Sequence, residues 1–353
     1  PAICVWISSC AHQSGVGHRA PYVAMVNDAI ERSVSEAQAF DTARDITRKL
    51  LDQMLLGAPA GPDGLCRVPL AIDALAVRAI AQLCTAWFGL PDEVHVTTGV
   101  RSDAANAPPS CPGHLLAVSR YVFSPDPSTT VENVAKAQGQ SYNGAVGKFL
   151  AHPANYRNAA VTSAIMAVVP PALQATTVAG IMLGFPPTTL GNLVSIVMAA
   201  NQSRALWDWQ QRLIELNPEA GHAAIAAELR GPMLAMMRRG PVPYMNWRRA
   251  GPGCVIAGRQ IPEGETIVVG LGSAVSEPNA DAMLMFGGDR HPPAAGAPDH
   301  RTVHACPGYG MAVGVMLGVI ATLLNAGELR PTSDPRSFTL LAPPPPPRSP
   351  PAG

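Results

Sequence analysis

The stretch from residue 159 to residue 200 limits the folds open to this chain more than any other part of the sequence. It is largely apolar, and it is long enough to suggest two membrane spans of about 20 residues each. The pairs Pro170-Pro171 and Pro186-Pro187 interrupt it, and a proline removes one backbone N–H and obstructs a regular helix. We therefore predict pieces shorter than a span, buried as core helix in a large soluble protein, and not a membrane protein.

The composition is typical of a globular protein. Of the 353 residues, 47% are apolar and 14% are charged, so the chain can bury a large core. The 25 basic and 25 acidic residues balance, and no run of Lys or Arg offers the positive surface that nucleic acid requires. The seven cysteines are scattered without a CxxC pair, which speaks against common zinc sites and favours a reducing compartment. We expect a cytoplasmic protein with no nucleic-acid partner.

Helical spacing of apolar residues dominates the rest of the chain. Short β-branched runs between Gly and Pro turns predict one small antiparallel hairpin, over residues 254–274. The predicted fold class is mostly α with a small β part, with one domain over residues 1–341 and a proline-rich disordered tail over 342–353. The predicted helical segments cover residues 20–56, 70–90, 113–151 (with proline turns at 124–130) and 311–324.

One cysteine stands where it can bind a metal. Cys306, in the segment HACPG, directly precedes the long apolar helix predicted over residues 311–324. A helix N-terminus stabilises a thiolate through its dipole and its backbone N–H groups, which lowers the pKa of the thiol and prepares it to ligate iron. The alternative is an ordinary buried cysteine beside a core helix, and the motif alone does not exclude it.

The order of several segments resembles the C-terminal half of the cytochromes P-450, over roughly residues 66–341. HACPG resembles the haem loop, PVPYMNWRRA followed by VIAGRQIPEGETIVVGLGSA resembles the proline-containing strand and hairpin, and FGGDR resembles the meander before the haem loop. The resemblance implies a P-450-like fold, with a shortened N-terminal part, that holds haem b. It implies Cys306 as the thiolate ligand of the iron, and Arg248 and His304 as contacts of the haem propionates. A surface cation and a loop polar group are the alternatives for those last two residues.

The chain departs from the family at two structural motifs. The helix that carries Glu-x-x-Arg reads LAMMRRGPVP, so Arg238 matches the Arg while Ala235 replaces the Glu. Glu228, earlier on the same segment, is the candidate substitute. The Phe and Gly residues that precede the ligand in the family are replaced by Asp299, His300 and Thr302.

The central helix is altered as well. In LGFPPTTLGN, Thr188 occupies the alcohol position of the acid–alcohol pair through which dioxygen-activating members relay protons, but Pro187 occupies the acid position. Proline cannot relay a proton. One interpretation is that Thr188 and Thr189 cap a helix that restarts after the prolines. The other is that Thr188 and Asn192, about one turn apart, share a face over the haem and position a substrate peroxide.

The altered helix favours a substrate that already holds a peroxide. Allene oxide synthases and the C-terminal domain of fungal linoleate diol synthases rearrange fatty-acid hydroperoxides without a proton relay, and they orient the substrate with an amide on this helix. GHLLAVSRYVFSPDPSTTVENVAKA also resembles that fungal domain. The resemblance thus implies a haem-thiolate enzyme for an apolar, oxygenated lipid, by hydroperoxide rearrangement or peroxygenase chemistry, with a fused or associated peroxidase as partner. The alternatives are a monooxygenase that uses dioxygen and a separate reductase, and a degenerate haem-binding protein without turnover.

Overall fold

A computed structural model describes residues 19–89, 128–217, 219–278, 280, 285–286 and 306–346. Within these residues the chain is mostly helical with small sheets, so the predicted fold class is confirmed. The helices are α1 (Arg19–Ser33), α2 (Glu36–Leu56), α3 (Ile72–Phe88), α4 (Thr129–Leu150), α5 (Ala160–Val168), α6 (Pro171–Gln202), α7 (Ala205–Ile214), α8 (His222–Arg239), α9 (Leu271–Ser276) and α10 (Tyr309–Asn325). The strands are β1 (Cys66–Ala71), β2 (Asn246–Arg249), β3 (Val255–Ile256), β4 (Arg259–Gln260), β5 (Thr266–Val269), β6 (Glu328–Pro331) and β7 (Ser337–Ala342).

The described residues divide into two units. The predicted single domain over residues 1–341 stays a prediction, and β7 ends at Ala342, after which residues 343–346 have no regular structure. The first unit combines the chain up to Val34 with Cys84–Asn192 and Met237–Tyr309, and the second combines Ser35–Leu83, Leu193–Met236 and the chain from Gly310.

Residues 20–56 form two helices rather than one. Ser35 separates α1 from α2 because its side chain accepts the backbone N–H of Gln38 at 3.2 Å. The Gln38 side chain accepts the N–H of Ser35 in return at 2.9 Å. This reciprocal capping box satisfies two backbone donors that a helix start leaves unpaired, and it gives α2 a defined first turn.

The second unit contains a three-stranded antiparallel sheet that the sequence analysis did not predict. β7 lies between β1 and β6, with Cys66 opposite Ala342 and Glu328 opposite Leu341. Burial alternates along β1, as in a strand with one face on the core. β1 was missed because it has six residues, includes Pro69, and leads directly into α3, whose helical spacing dominates the local pattern.

The first unit contains the predicted β region. β2 pairs with β5 and β3 pairs with β4, both antiparallel. Ala257 and Gly258 form the two-residue β3–β4 turn with φ of 49° and 78°, the left-handed backbone that such a turn requires. The hairpin prediction is confirmed for β3 and β4, whereas β5 pairs with β2 outside the predicted region and α9 forms the last part of that region.

α10 is the central helix of the second unit, and all of its residues from Met311 to Leu324 are buried. A Cβ on Gly314 would overlap the carbonyl oxygen of Glu36, and one on Gly318 would lie 2.5 Å from the carbonyl oxygen of Phe40. Glycine at these positions therefore allows the backbones of α10 and α2 to touch. The core helix predicted over residues 311–324 is confirmed.

α6 runs for 32 residues through Pro186 and Pro187, so the prediction that these prolines split the helix is wrong. Each proline withholds an N–H from the carbonyl four residues earlier. The helix just before them is buried, and the Phe185 ring lies 6.1 Å from that of Trp87 and 6.4 Å from that of Phe88. Among the described helices, α6 has the length and hydropathy of a membrane span, and 61% of its most apolar window is buried, as in a core helix. Pro170 and Pro171 do separate α5 from α6, as predicted.

The remaining helical predictions hold where the structure describes the chain. The segment predicted over residues 70–90 is α3, and the one predicted over 113–151 contains α4. Residues 113–127, which include most of the stretch that resembles the fungal domain, lie outside the described residues.

Candidate functional site

Cys306 lies three residues before the first residue of α10, as the sequence predicted. Its backbone N–H donates to the carbonyl oxygen of Phe286 at 2.7 Å, and its own carbonyl accepts the N–H of Tyr309 at 3.4 Å. The rings of Phe286 and Tyr309 pack edge to face with centroids 4.6 Å apart. These contacts fix the backbone on both sides of the thiol.

The other described cysteines are less suited to bind iron. Burial raises the pKa of Cys84 to about 12, so this thiol stays protonated. Cys66 is buried and donates its thiol hydrogen to the carbonyl oxygen of Ala58 at 3.4 Å. Cys254 is half-buried like Cys306, but it precedes the short strand β3 rather than a helix. A thiolate ligand therefore fits Cys306 best among the cysteines that the structure describes.

Thr188 is half-buried on α6 and does not cap a helix. Its hydroxyl donates to the carbonyl oxygen of Gly184 at 2.7 Å, with that of Phe185 at 3.2 Å, whereas a capping hydroxyl accepts from a backbone N–H. Thr189 is 2% exposed, and its hydroxyl oxygen has no hydrogen-bond partner among the described residues. The capping interpretation of these two threonines is wrong because α6 is continuous.

Asn192 is buried on the same helix, and its amide faces backbone groups. The amide nitrogen donates to the carbonyl oxygens of Thr188 and Val242, each at 2.9 Å. The amide oxygen accepts the N–H of Val242, also at 2.9 Å. The sequence analysis did not identify Val242, because Asn192 binds its backbone N–H and carbonyl, which almost any other residue type would also provide. The predicted contact of Asn192 with a peroxide stays a prediction.

The two residues predicted at the haem propionates are described only in part. Arg248 lies on β2 with its Cα opposite that of Ile267 on β5. The Arg248 side chain and the whole of His304 lie outside the described residues, so their propionate contacts stay predictions.

Arg238 binds backbone carbonyl groups in place of the missing Glu, and it does not bind Glu228, which the sequence analysis had predicted as the substitute. Its guanidinium donates to the carbonyl oxygen of Val275 at 2.9 and 3.0 Å and to that of Glu277 at 3.3 Å. Glu228 lies 4.0 Å from Arg212 instead. The prediction that Glu228 replaces the missing Glu is wrong, because Glu228 lies ten positions before Arg238 on the same helix, a rise of about 15 Å. Backbone carbonyls at the end of α9 take the role of the carboxylate.

Two solved structures are similar to this chain over most of its length. CalO2 matches with a TM-score of 0.52 and 16% identity, covering 97% of this chain and 83% of its own. P450 RauA, solved in complex with a biosynthetic intermediate of aurachin RE, matches with a TM-score of 0.53 and 13% identity, covering 93% and 79%. Both are cytochromes P450, and the chain has the cytochrome P-450 fold, as predicted. No family model and no curated protein sequence matches it.

Proposed function

We propose that this protein is a haem-thiolate enzyme that acts on an apolar, oxygenated lipid in the cytoplasm. One observation carries the proposal: in a chain with the P-450 fold, Cys306 is a half-buried thiol in a fixed loop directly before a buried helix. Cys306 would ligate the iron of haem b, with Arg248 and His304 at the propionates. A haem with a thiolate ligand supplies the chemistry of O–O bond cleavage.

The chemistry of α6 favours a substrate that brings its own peroxide. α6 contains no acidic residue along its whole length, and Pro187 stands where a proton-relaying acid is needed. The Thr188 hydroxyl gives its hydrogen to Gly184, so its oxygen is left as an acceptor. We therefore propose that the Thr188 hydroxyl oxygen accepts a hydrogen bond from the O–H of a fatty-acid hydroperoxide. Such a substrate already contains the O–O bond of a peroxide, so the enzyme needs no proton relay to form it from dioxygen.

The absorption spectrum of the haem-supplied protein, reduced and exposed to carbon monoxide, tests the ligand. We expect a strongly red-shifted Soret band in the wild type and in Cys254→Ser, and its loss in Cys306→Ser. Cys254 is the matched control because it is the other half-buried cysteine that the structure describes. Absence of haem from all three proteins would overturn the proposal.

Turnover assays then separate the candidate reactions. We expect the protein to consume linoleic acid hydroperoxide without a reductant. The product should be a rearranged hydroperoxide or a substrate that has received one of its oxygen atoms, and either would support the hypothesis of a hydroperoxide substrate. Activity only with dioxygen and a reductase would instead establish a monooxygenase. A protein that binds haem and changes neither substrate would be a degenerate haem binder.

A further inference from the structure

The Asn192 side chain pairs with both polar backbone groups of a single residue. Its amide oxygen accepts the Val242 N–H and its amide nitrogen donates to the Val242 carbonyl, each at 2.9 Å. The second amide hydrogen goes to the carbonyl of Thr188 at 2.9 Å. Asn192 is 8% exposed, so breaking these bonds would leave polar backbone groups without water to replace the amide.

Gly191 allows this contact to form. A Cβ at that position would lie 2.8 Å from Cγ1 and 3.3 Å from Cβ of Val242, closer than side chains pack. The Val242 side chain therefore rests on the backbone of α6, next to the turn that begins at Thr188. Val242 and Thr188 are both half-buried, so each presents surface beside that turn.

The segment between α8 and β2 is also fixed on either side of Val242. Arg238, in the last turn of α8, binds the carbonyls of Val275 and Glu277. The carbonyl of Tyr244 accepts the N–H of Gly272 at 2.8 Å. Between these two contacts, the Asn192 amide supplies side-chain hydrogen bonds that join the segment to α6.

We propose that Asn192 is a positioning residue that sets the shape of the lipid site through Val242, rather than a group that touches the peroxide. An amide suits this task because it offers an acceptor and two donors at once. Aspartate retains the acceptor but loses both donors, and alanine loses all three. The proposal rests on the proposed function for its effect on substrate, but the contact itself is independent of it.

Hydrogen exchange at the Val242 amide tests the contact directly. We expect exchange to become about tenfold faster or more in Asn192→Ala, and no slower in Asn192→Asp, whose carboxylate would face the carbonyl oxygens of Thr188 and Val242 without a donor. Asn201→Ala is the matched control, because Asn201 lies on the same helix and donates to the carbonyl of Pro335 at 3.0 Å. Unchanged Val242 exchange in Asn192→Ala would overturn the proposal, and this readout holds even if the protein binds no haem.

Ligand size distinguishes positioning from peroxide contact in the haem-loaded protein. We expect Asn192→Ala to keep the wild-type spectrum with carbon monoxide and the wild-type affinity for imidazole. Its turnover of the small substrate cumene hydroperoxide should change much less than its use of the long-chain hydroperoxide. The KM for linoleic acid hydroperoxide should rise about tenfold, the equivalent of one lost hydrogen bond, with a smaller change in kcat. Equal losses of kcat with both hydroperoxides would show that Asn192 acts on the peroxide itself and would overturn the proposal.

Discussion

At the scale of single residues, two polar side chains of the first unit, Arg238 and Asn192, bind backbone groups rather than other side chains. Arg238 binds two carbonyls at the end of α9, and Asn192 binds the N–H and carbonyl of Val242. Sequence could predict that Cys306 lies just before a buried helix, because that relation is local, whereas its role as a ligand stays a prediction. It could not predict the partners of Arg238 and Asn192, because any residue type supplies a carbonyl.

Arg238 should therefore matter to stability although its Glu partner is absent. We expect Arg238→Met to lower the free energy of unfolding by about 1.5–3 kcal/mol, since carbonyl groups lose charge-assisted hydrogen bonds. Urea denaturation measures the change. The neighbouring Arg239→Met, at an exposed position, should change it by less than about 0.5 kcal/mol. Equal effects of the two substitutions would contradict this role.

Cys84 should give the protein a specific weakness at alkaline pH. Its pKa is about 12 in the folded chain, against about 8.5 for an unfolded thiol. Because folding raises the pKa of this thiol, the contribution of Cys84 to the free energy of unfolding is complete below about pH 8.5 and is lost as the pH rises toward 12. The free energy of unfolding should then fall by up to about 1.4 kcal/mol per pH unit more steeply than in Cys84→Ala. Parallel pH profiles of the two proteins would refute the prediction.

At the scale of elements, spacing of apolar residues predicted where helices lie but not where they stop. α3 and α10 match their predicted segments because α3 has buried residues at helical spacing and α10 is buried without interruption from Met311 to Leu324. α6 continues through two prolines although each removes a helical hydrogen bond, and the burial of the helix just before them depends on residues far away in sequence, such as Trp87 and Phe88 beside Phe185. The sequence analysis also did not predict the break at Ser35, although the capping box that causes it involves only Ser35 and Gln38.

The contact of α10 with α2 should tolerate no side chain at Gly318. We expect Gly318→Ala to cost about 1–3 kcal/mol of unfolding free energy, because a Cβ there would lie 2.5 Å from the carbonyl oxygen of Phe40. Gly310→Ala is the control on the same helix, where the nearest atom would be 3.7 Å away. That variant should be neutral or gain up to about 1 kcal/mol from higher helix propensity. Thermal unfolding of both would settle the comparison.

At the scale of the whole molecule, the P-450 fold was predictable from the order of its segments, whereas the β1–β7–β6 sheet was not. Local periodicity cannot show that Cys66 pairs with Ala342. The central position of β7 makes it the strand on which the sheet depends.

Substitutions in β7 and just after it should differ sharply in their effect on stability. Leu340 is 0% exposed, so Leu340→Ala should cost about 2–5 kcal/mol of unfolding free energy. Pro343 follows the strand and is exposed, so Pro343→Ala should leave the free energy within about 0.5 kcal/mol of the wild type. A large loss in the Pro343 variant would mean that the tail contributes to the core.

The central place of β7 also has a consequence for biosynthesis. A ribosome releases β1 early, but the strand that pairs with it emerges only after every other element described here has been made. Until then the backbone N–H and C=O groups along the edge of β1 lack the strand that pairs with them, and sequence-distant pairing of this kind is slow to form. The sheet of the second unit can therefore form only once β7 has been synthesised, so β1 lacks its partner strand while residues 72–336 are made.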